Sequence, residues 1–251
     1  MRAFSTTRFL AATILVIFIA ATGAAHAQEY ETLLKAGDQL YLKRSTNLNS
    51  VHRAIAHWNT AANLDALSAH PFHRIAMAYF YLYRFPIEGE SRSAYLEKSS
   101  DAARKALKIN PKSAQAHYWL AVVQYEQTRK KTATRFFQAL SEIKSHLRQA
   151  KAADEKIYDG GPDRVLGHIA SNSPIVKLKA ATEHLEAALA ISPDYHENLI
   201  AYATVASKRK RIRDARAALN KLLALEAAPG AERELRVSKL KAKQLLESCE
   251  K

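Results

Sequence analysis

The sequence predicts an all-α chain: an α-solenoid of about five helix pairs followed by a C-terminal capping helix. Three observations lead there. Glycine is scarce, seven residues in 251, against a usual share of about 7%, which leaves little material for hairpin turns. Alanine, leucine, lysine, arginine and glutamate dominate, a composition that favours helices. A small residue also returns at one place in successive apolar segments, at Gly37, Ala76, Ala121, Gly167 and Ala203, with spacings of 39, 45, 46 and 36. A repeat of that period is the mark of a stacked helical array.

The clearest unit runs from Ala180 to Ala227. Ala181, Leu185 and Ala188 share a helix face, and Ile191-Ser192-Pro193 ends that helix, because proline cannot continue it. Leu199, Tyr202, Ala203 and Ala206 open the next helix, Lys208 to Arg211 form a basic turn, and Ala215, Leu219 and Leu222 repeat the first face. Earlier, Ser99, Ala103 and Ala106 precede Ile109-Asn110-Pro111, and His117, Leu120, Ala121 and Gln124 follow. Phe72, Ile75, Ala76 and Tyr79 mark a further first helix opened by His70-Pro71, and Gly160-Gly161-Pro162 opens one bearing Val165, Leu166, Gly167 and Ala170. The most divergent pair places Leu33, Gly37 and Leu40 before Ala54, Trp58 and Ala61. The segments 84–98 and 126–142 read equally as loops or as helix extensions. A helix from about Glu232 to Leu246, charged at Glu232, Glu234, Arg236, Lys239, Lys241 and Lys243, supplies the polar face a terminal repeat needs.

Glycine in a helix interior costs about 1 kcal/mol relative to alanine, so Gly37 and Gly167 need a packing reason. Gly167→Leu is expected to overpack that contact, and Gly167→Ala to be mild or stabilising.

The N-terminus has Arg2 and Arg8, an apolar run from Phe9 to about Ala21, and small residues ending in Ala25-His26-Ala27. That order is a secretory signal, with cleavage expected before Gln28. The apolar run is shorter than the roughly 20 residues of a transmembrane helix. The expected organisation is thus a signal over 1–27 and a repeat domain over 28–251, periplasmic, with no transmembrane span after cleavage. The only cysteine, Cys249, excludes an internal disulfide.

The full chain carries a net charge of +14 and stays strongly basic without Arg2 and Arg8, which favours anionic partners. Nucleic acid is not expected for an exported chain. There is no G-x-S-x-G, H-E-x-x-H or phosphate loop, so no enzyme activity and no cofactor are expected. His70 and His73 are spaced to share a helix face, but no further ligand completes a set, and a metal site needs three or four. Gly160-Gly161-Pro162-Asp163-Arg164 reads as a tight helix start rather than an anion loop. Lys208, Arg209, Lys210 and Arg211 form a basic patch: a solvated turn, or a spot that docks an anionic surface.

The units resemble tetratricopeptide (TPR) repeats, a helix with a large-small pair followed by one with alanine-large-alanine and then proline. Leu166-Gly167 with Ala181, Leu185, Ala188 and Pro193, and Leu120-Ala121 preceded by Ala106 and Pro111, carry the likeness. It implies a concave groove lined by the first helices, on the register of His73, Met77, Phe80, Tyr118, Val122, Tyr125, Arg164, His168, Ile200 and Thr204. Tyr118 and Arg164 should face one space from adjacent units and anchor a partner. Substituting both is expected to spare the melting point. Gly160 to Gly167, Ala181 to Ala188 and Ser192 to Asn198 also resemble the T component of tripartite ATP-independent periplasmic (TRAP) transporters, though the chain lacks the cysteine of lipidated members. That resemblance implies association with a periplasmic solute-binding protein.

The expected function is a protein-binding scaffold accessory to solute uptake, in which a homo-oligomer is also conceivable. The alternative is a carrier that holds a hydrophobic or anionic small ligand in the groove.

Overall fold

A computed structural model describes residues 25–89 and 91–249, where all regular secondary structure is helical. The leader expected over residues 1–27 lies almost wholly outside the described residues. Ten helices form five consecutive pairs: α1 (residues 25–41) and α2 (Asn49–Leu64), α3 (His70–Arg84) and α4 (Arg92–Ile109), α5 (Ala114–Thr128) and α6 (Ala133–Ala153), α7 (Ile157–Asn172) and α8 (Leu178–Ile191), α9 (His196–Lys208) and α10 (Ile212–Ala224). A final helix, α11, spans Glu232–Ser248. Each first helix also touches the next one, α3 on α5, α5 on α7 and α7 on α9. The first helices thereby form one wall and the second helices an outer layer.

Local sequence sets the helix ends. Pro71 sits in the first turn of α3, where its missing N–H costs nothing. The Ser113 and Thr132 side chains accept from the Ala116 and Arg135 amides and cap α5 and α6. Pro111 and Pro193 stand two residues beyond the ends of α4 and α8. The two ambiguous segments resolve differently. Residues 85–91 connect α3 to α4, whereas only 129–132 separate α5 from the 21-residue α6.

The small-residue positions are where helices cross. Gly37, Ala76, Ala121, Gly167 and Ala203 are all buried. A Cβ on Gly37 would enter the indole of fully buried Trp58. On Gly167 it would lie 2.6 Å from Leu185 Cγ and 3.3 Å from the Ala181 carbonyl oxygen. The packing reason expected for Gly167 is present, but alanine there is not mild. Leu185 is itself fully buried in a cluster with Ala181, Ala201 and Val205, a side chain whose burial stabilises by about 1.5–3 kcal/mol.

Helix α11 lies where the sequence puts it, yet it does more than end the array. Its Leu235 and Ala242 are buried, and its Val237, Ser238 and Lys241 face the concave wall. At its start, Glu234 pairs with Arg44 at 3.0 Å, Arg233 donates to the Ser45 carbonyl at 3.0 Å, and Ser45 donates to Glu232. Gly230, with φ +80°, has its α-carbon against the Leu42 carbonyl, where no side chain fits. The turn after α1 thus meets the start of α11, and the helix roofs the groove.

Candidate functional site

The groove between the first helices and α11 is crossed by a partly buried ion-pair bridge. Arg84 at the end of α3 and Arg164 on α7 both engage Glu197 in the first turn of α9; the Arg164 Nε contact is 3.4 Å. Arg164, 4% exposed, also donates to Asn198 Oδ1 at 2.9 Å, the Tyr158 carbonyl at 3.1 Å and the Tyr118 hydroxyl at 3.2 Å. Its guanidinium lies 4.9 Å from the Tyr195 ring centre. Burial alone would raise the Glu197 carboxyl, but Arg84 and Arg164 outweigh it and hold the acid far below the usual carboxylate range. The bridge is therefore ionised at any ordinary pH.

A strained turn supports it. Tyr158, Asp159 and Gly160 adopt left-handed backbone angles (φ 47°, 59° and 73°) before α7 becomes regular. For the two L-residues this costs roughly 1–2 kcal/mol each. Arg164 and Asn198 offset that cost through the Tyr158 and Asp159 carbonyls, Asn198 Nδ2 reaching the latter at 2.9 Å. The turn swings the Tyr158 ring to 4.7 Å from Tyr118 and lets its hydroxyl accept from Trp119 Nε1 at 2.8 Å. Gly161 abuts the Tyr118 ring, which a Cβ would approach to 2.5 Å. The start of α7 is thus covered by protein, as a tight turn rather than an open anion loop.

Two cavities share the bridge as a wall. One, of about 640 Å³, is lined by Arg84, Arg92, Arg129, Arg164 and Lys241 against Glu126 and Glu197, with apolar walls from Phe80, Phe85, Val122, Val165, Ile200 and Val237. The other, of about 380 Å³, lies under the 225–235 segment and is rich in tyrosine.

Of the expected groove residues, Phe80, Tyr118 and Arg164 line both cavities, Met77 the smaller one, and Val122, Tyr125, His168 and Ile200 the larger. His73 belongs to a separate depression with Asp38 and Arg74. Burial, then Arg74 and His70, lower its pKa to about 3. Thr204 turns its hydroxyl back to the Ile200 carbonyl. Neither lines the two cavities beside the bridge. Tyr118 and Arg164 do meet, but as buried members of the bridge, so substituting both removes structure as well as surface. The expectation of an unchanged melting point is corrected on that ground.

Lys208 to Arg211 form the α9–α10 turn. Arg209 donates to Thr182 and Arg211 pairs with Asp214 and Glu186, while Lys208 and Lys210 are exposed. His70 and His73 stack edge to face at 5.7 Å, and among the described residues no three metal-ligating side chains gather. Sequence reasoning missed Arg84, Tyr158, Glu197, Asn198 and Glu234. For Arg84, Glu197, Asn198 and Glu234 the available signal was a charge or amide among the apolar positions of a helix; Tyr158 carried none.

The model of the family described as RMD1-3, regulator of microtubule dynamics protein 1-3, matches residues 33–158. No curated protein matches the chain. Among solved structures, the TPR protein TTC0263 of Thermus thermophilus is similar at TM-score 0.64 and 19% identity, over 86% of this chain and 99% of its own. Pseudomonas aeruginosa pilF is similar at TM-score 0.58 and 16% identity, over 90% of each chain. Yeast Tom70 is similar at 0.59 and 16%, over 88% of this chain and 39% of its own. Likeness at these identities shows a TPR-like fold.

Proposed function

The chain belongs to the regulator of microtubule dynamics protein 1-3 family, and from that premise we propose that it is a TPR-type scaffold that holds an acidic polypeptide segment in its roofed groove. The observation that carries this is the larger cavity, whose five cationic side chains outnumber its two carboxylates between apolar walls: Arg84 and Arg164 hold Glu197 and Arg129 holds Glu126, while Arg92 and Lys241 have no carboxylate partner on the lining. Such a channel attracts an acidic segment through its field and retains it through apolar contact. The family's name speaks of microtubule dynamics. What bears on a partner in this chain is the charge and shape of the channel.

The charged start, apolar run and Ala-x-Ala junction support export and a mature start at Gln28, which N-terminal mass analysis of the exported protein would check. A finer role, as an accessory to TRAP-type uptake, is supported only by the likeness within residues 160–198, beyond the family-matched segment. Binding of a solute-binding protein encoded beside this chain would favour it, and its failure to bind would remove it.

The channel itself is tested with a fluorescently labelled acidic peptide containing phenylalanine, followed by anisotropy. Combining Arg92→Gln, Arg129→Gln and Lys241→Gln should weaken binding and flatten its salt dependence, because long-range charge attraction is screened by salt. A basic peptide bound equally well, or an unaffected triple variant, would refute the reading.

A further inference from the structure

On the far side of the Arg84–Glu197–Arg164 bridge, the roof closes the smaller cavity of about 380 Å³. Tyr41 comes from α1, Tyr81 from α3, Trp119 from α5 and Tyr158 from the strained turn before α7. Glu234 enters from the first turn of α11. It is 9% exposed, and its Oε1 is taken by Arg44 at 3.0 Å. Its Oε2 is buried and accepts no hydrogen bond from any described residue. Buried polar atoms are almost always paired, so an orphaned oxygen on a carboxylate that lines a cavity asks for a donor.

Charge and wall chemistry indicate which donor. Arg44, Arg84 and Arg164 line the cavity, but each already holds Glu234 or Glu197. Of the remaining carboxylates on the lining, Asp194 pairs with Lys221 at 2.9 Å, and Asp159 and Glu226 leave four acids against three guanidiniums. An anionic ligand would have to break an existing pair. A cation completes one, and aromatic faces favour it through their ring quadrupoles. The volume lies within the usual range of about 300–1,000 Å³ for small-molecule sites.

We propose that this cavity binds a small amphipathic amine, its ammonium donating to Glu234 Oε2 and its hydrocarbon part lying against Trp119 and Tyr158. The site is separate from the peptide channel, across the bridge, and does not depend on that reading.

Phenethylamine and 3-phenylpropionate make a matched pair of probes, alike in ring and opposite in charge. Each is titrated into the whole chain by calorimetry and by tryptophan fluorescence. The chain has two tryptophans; Trp119 lines the cavity and Trp58 is fully buried behind Tyr41, so the titration is repeated in Trp58→Phe to assign the change to Trp119. Phenethylamine should bind at one site and perturb Trp119, whereas phenylpropionate should not. Glu234→Gln, which keeps an acceptor for Arg44, should weaken the amine by about tenfold or more, as loss of a buried charged hydrogen bond does. Equal binding of the two probes, no binding of the amine, or an unaffected Glu234→Gln variant would each overturn the proposal. The wild-type comparison of the two probes stands even if the variant folds poorly. The Arg92, Arg129 and Lys241 substitutions should leave the amine titration unchanged, which separates failure of one site from failure of the other.

Discussion

Glu197→Gln is the sharpest probe of the bridge, because it removes one charge and almost no volume. The side chain sits between Arg84 and Arg164 and is 20% exposed, against 5% for Arg164. Removing one partner of a fully buried pair typically costs about 3–5 kcal/mol, mostly because the other charge is stranded. The residual exposure lets water reach Arg84, and the glutamine carbonyl still accepts one hydrogen bond, so about 2–3 kcal/mol is expected. For a chain of this size that lowers the melting temperature by about 4–12 °C. Circular dichroism melts of both proteins would measure it. The acid dependence gives an independent check. The folded pKa of Glu197 is depressed, so its contribution is full above the ordinary carboxylate range and is lost as pH falls through and below that range. The gap between wild type and variant should therefore narrow on acidification. A gap below about 0.5 kcal/mol at neutral pH, the level of an ordinary surface change, would refute the reading of this trio as a structural bridge. So would a gap that does not change with pH. Arg211→Gln, in an exposed pair, should leave the melt where it is.

Gly167→Ala should destabilise rather than stabilise, since its Cβ would lie 2.6 Å from Leu185 Cγ, and Gly167→Leu should cost more, about 1–3 kcal/mol or above; denaturant midpoints that rise for alanine would contradict this. Burial, with Arg164 nearby, lowers the His168 pKa to about 4. The unfolded chain therefore takes up a proton on this residue between about pH 6.5 and 4 while the folded chain does not. That erodes stability by at most about 1.4 kcal/mol per pH unit, and His168→Gln should flatten the fall seen in melts across that window.

The sequence by itself determined the helices, their pairing and the small positions where they cross. Each of these depends on residues three, four or a few tens apart. Ala181, Leu185 and Ala188 lie on one face because the helix repeats every 3.6 residues, and Pro193 ends that helix whatever surrounds it. The register also grouped Phe80, Tyr118 and Arg164, which line both cavities. Tertiary structure alone decided what faces that wall. Glu197 meets Arg84 across 113 residues, and Glu234 meets Arg44 across 190. No periodicity relates positions so far apart, because their meeting follows from how whole helices stack on one another. From the polar face of α11, which reads as a solvated terminus, Glu234 and Lys241 line the two cavities that the Arg84–Glu197–Arg164 bridge separates.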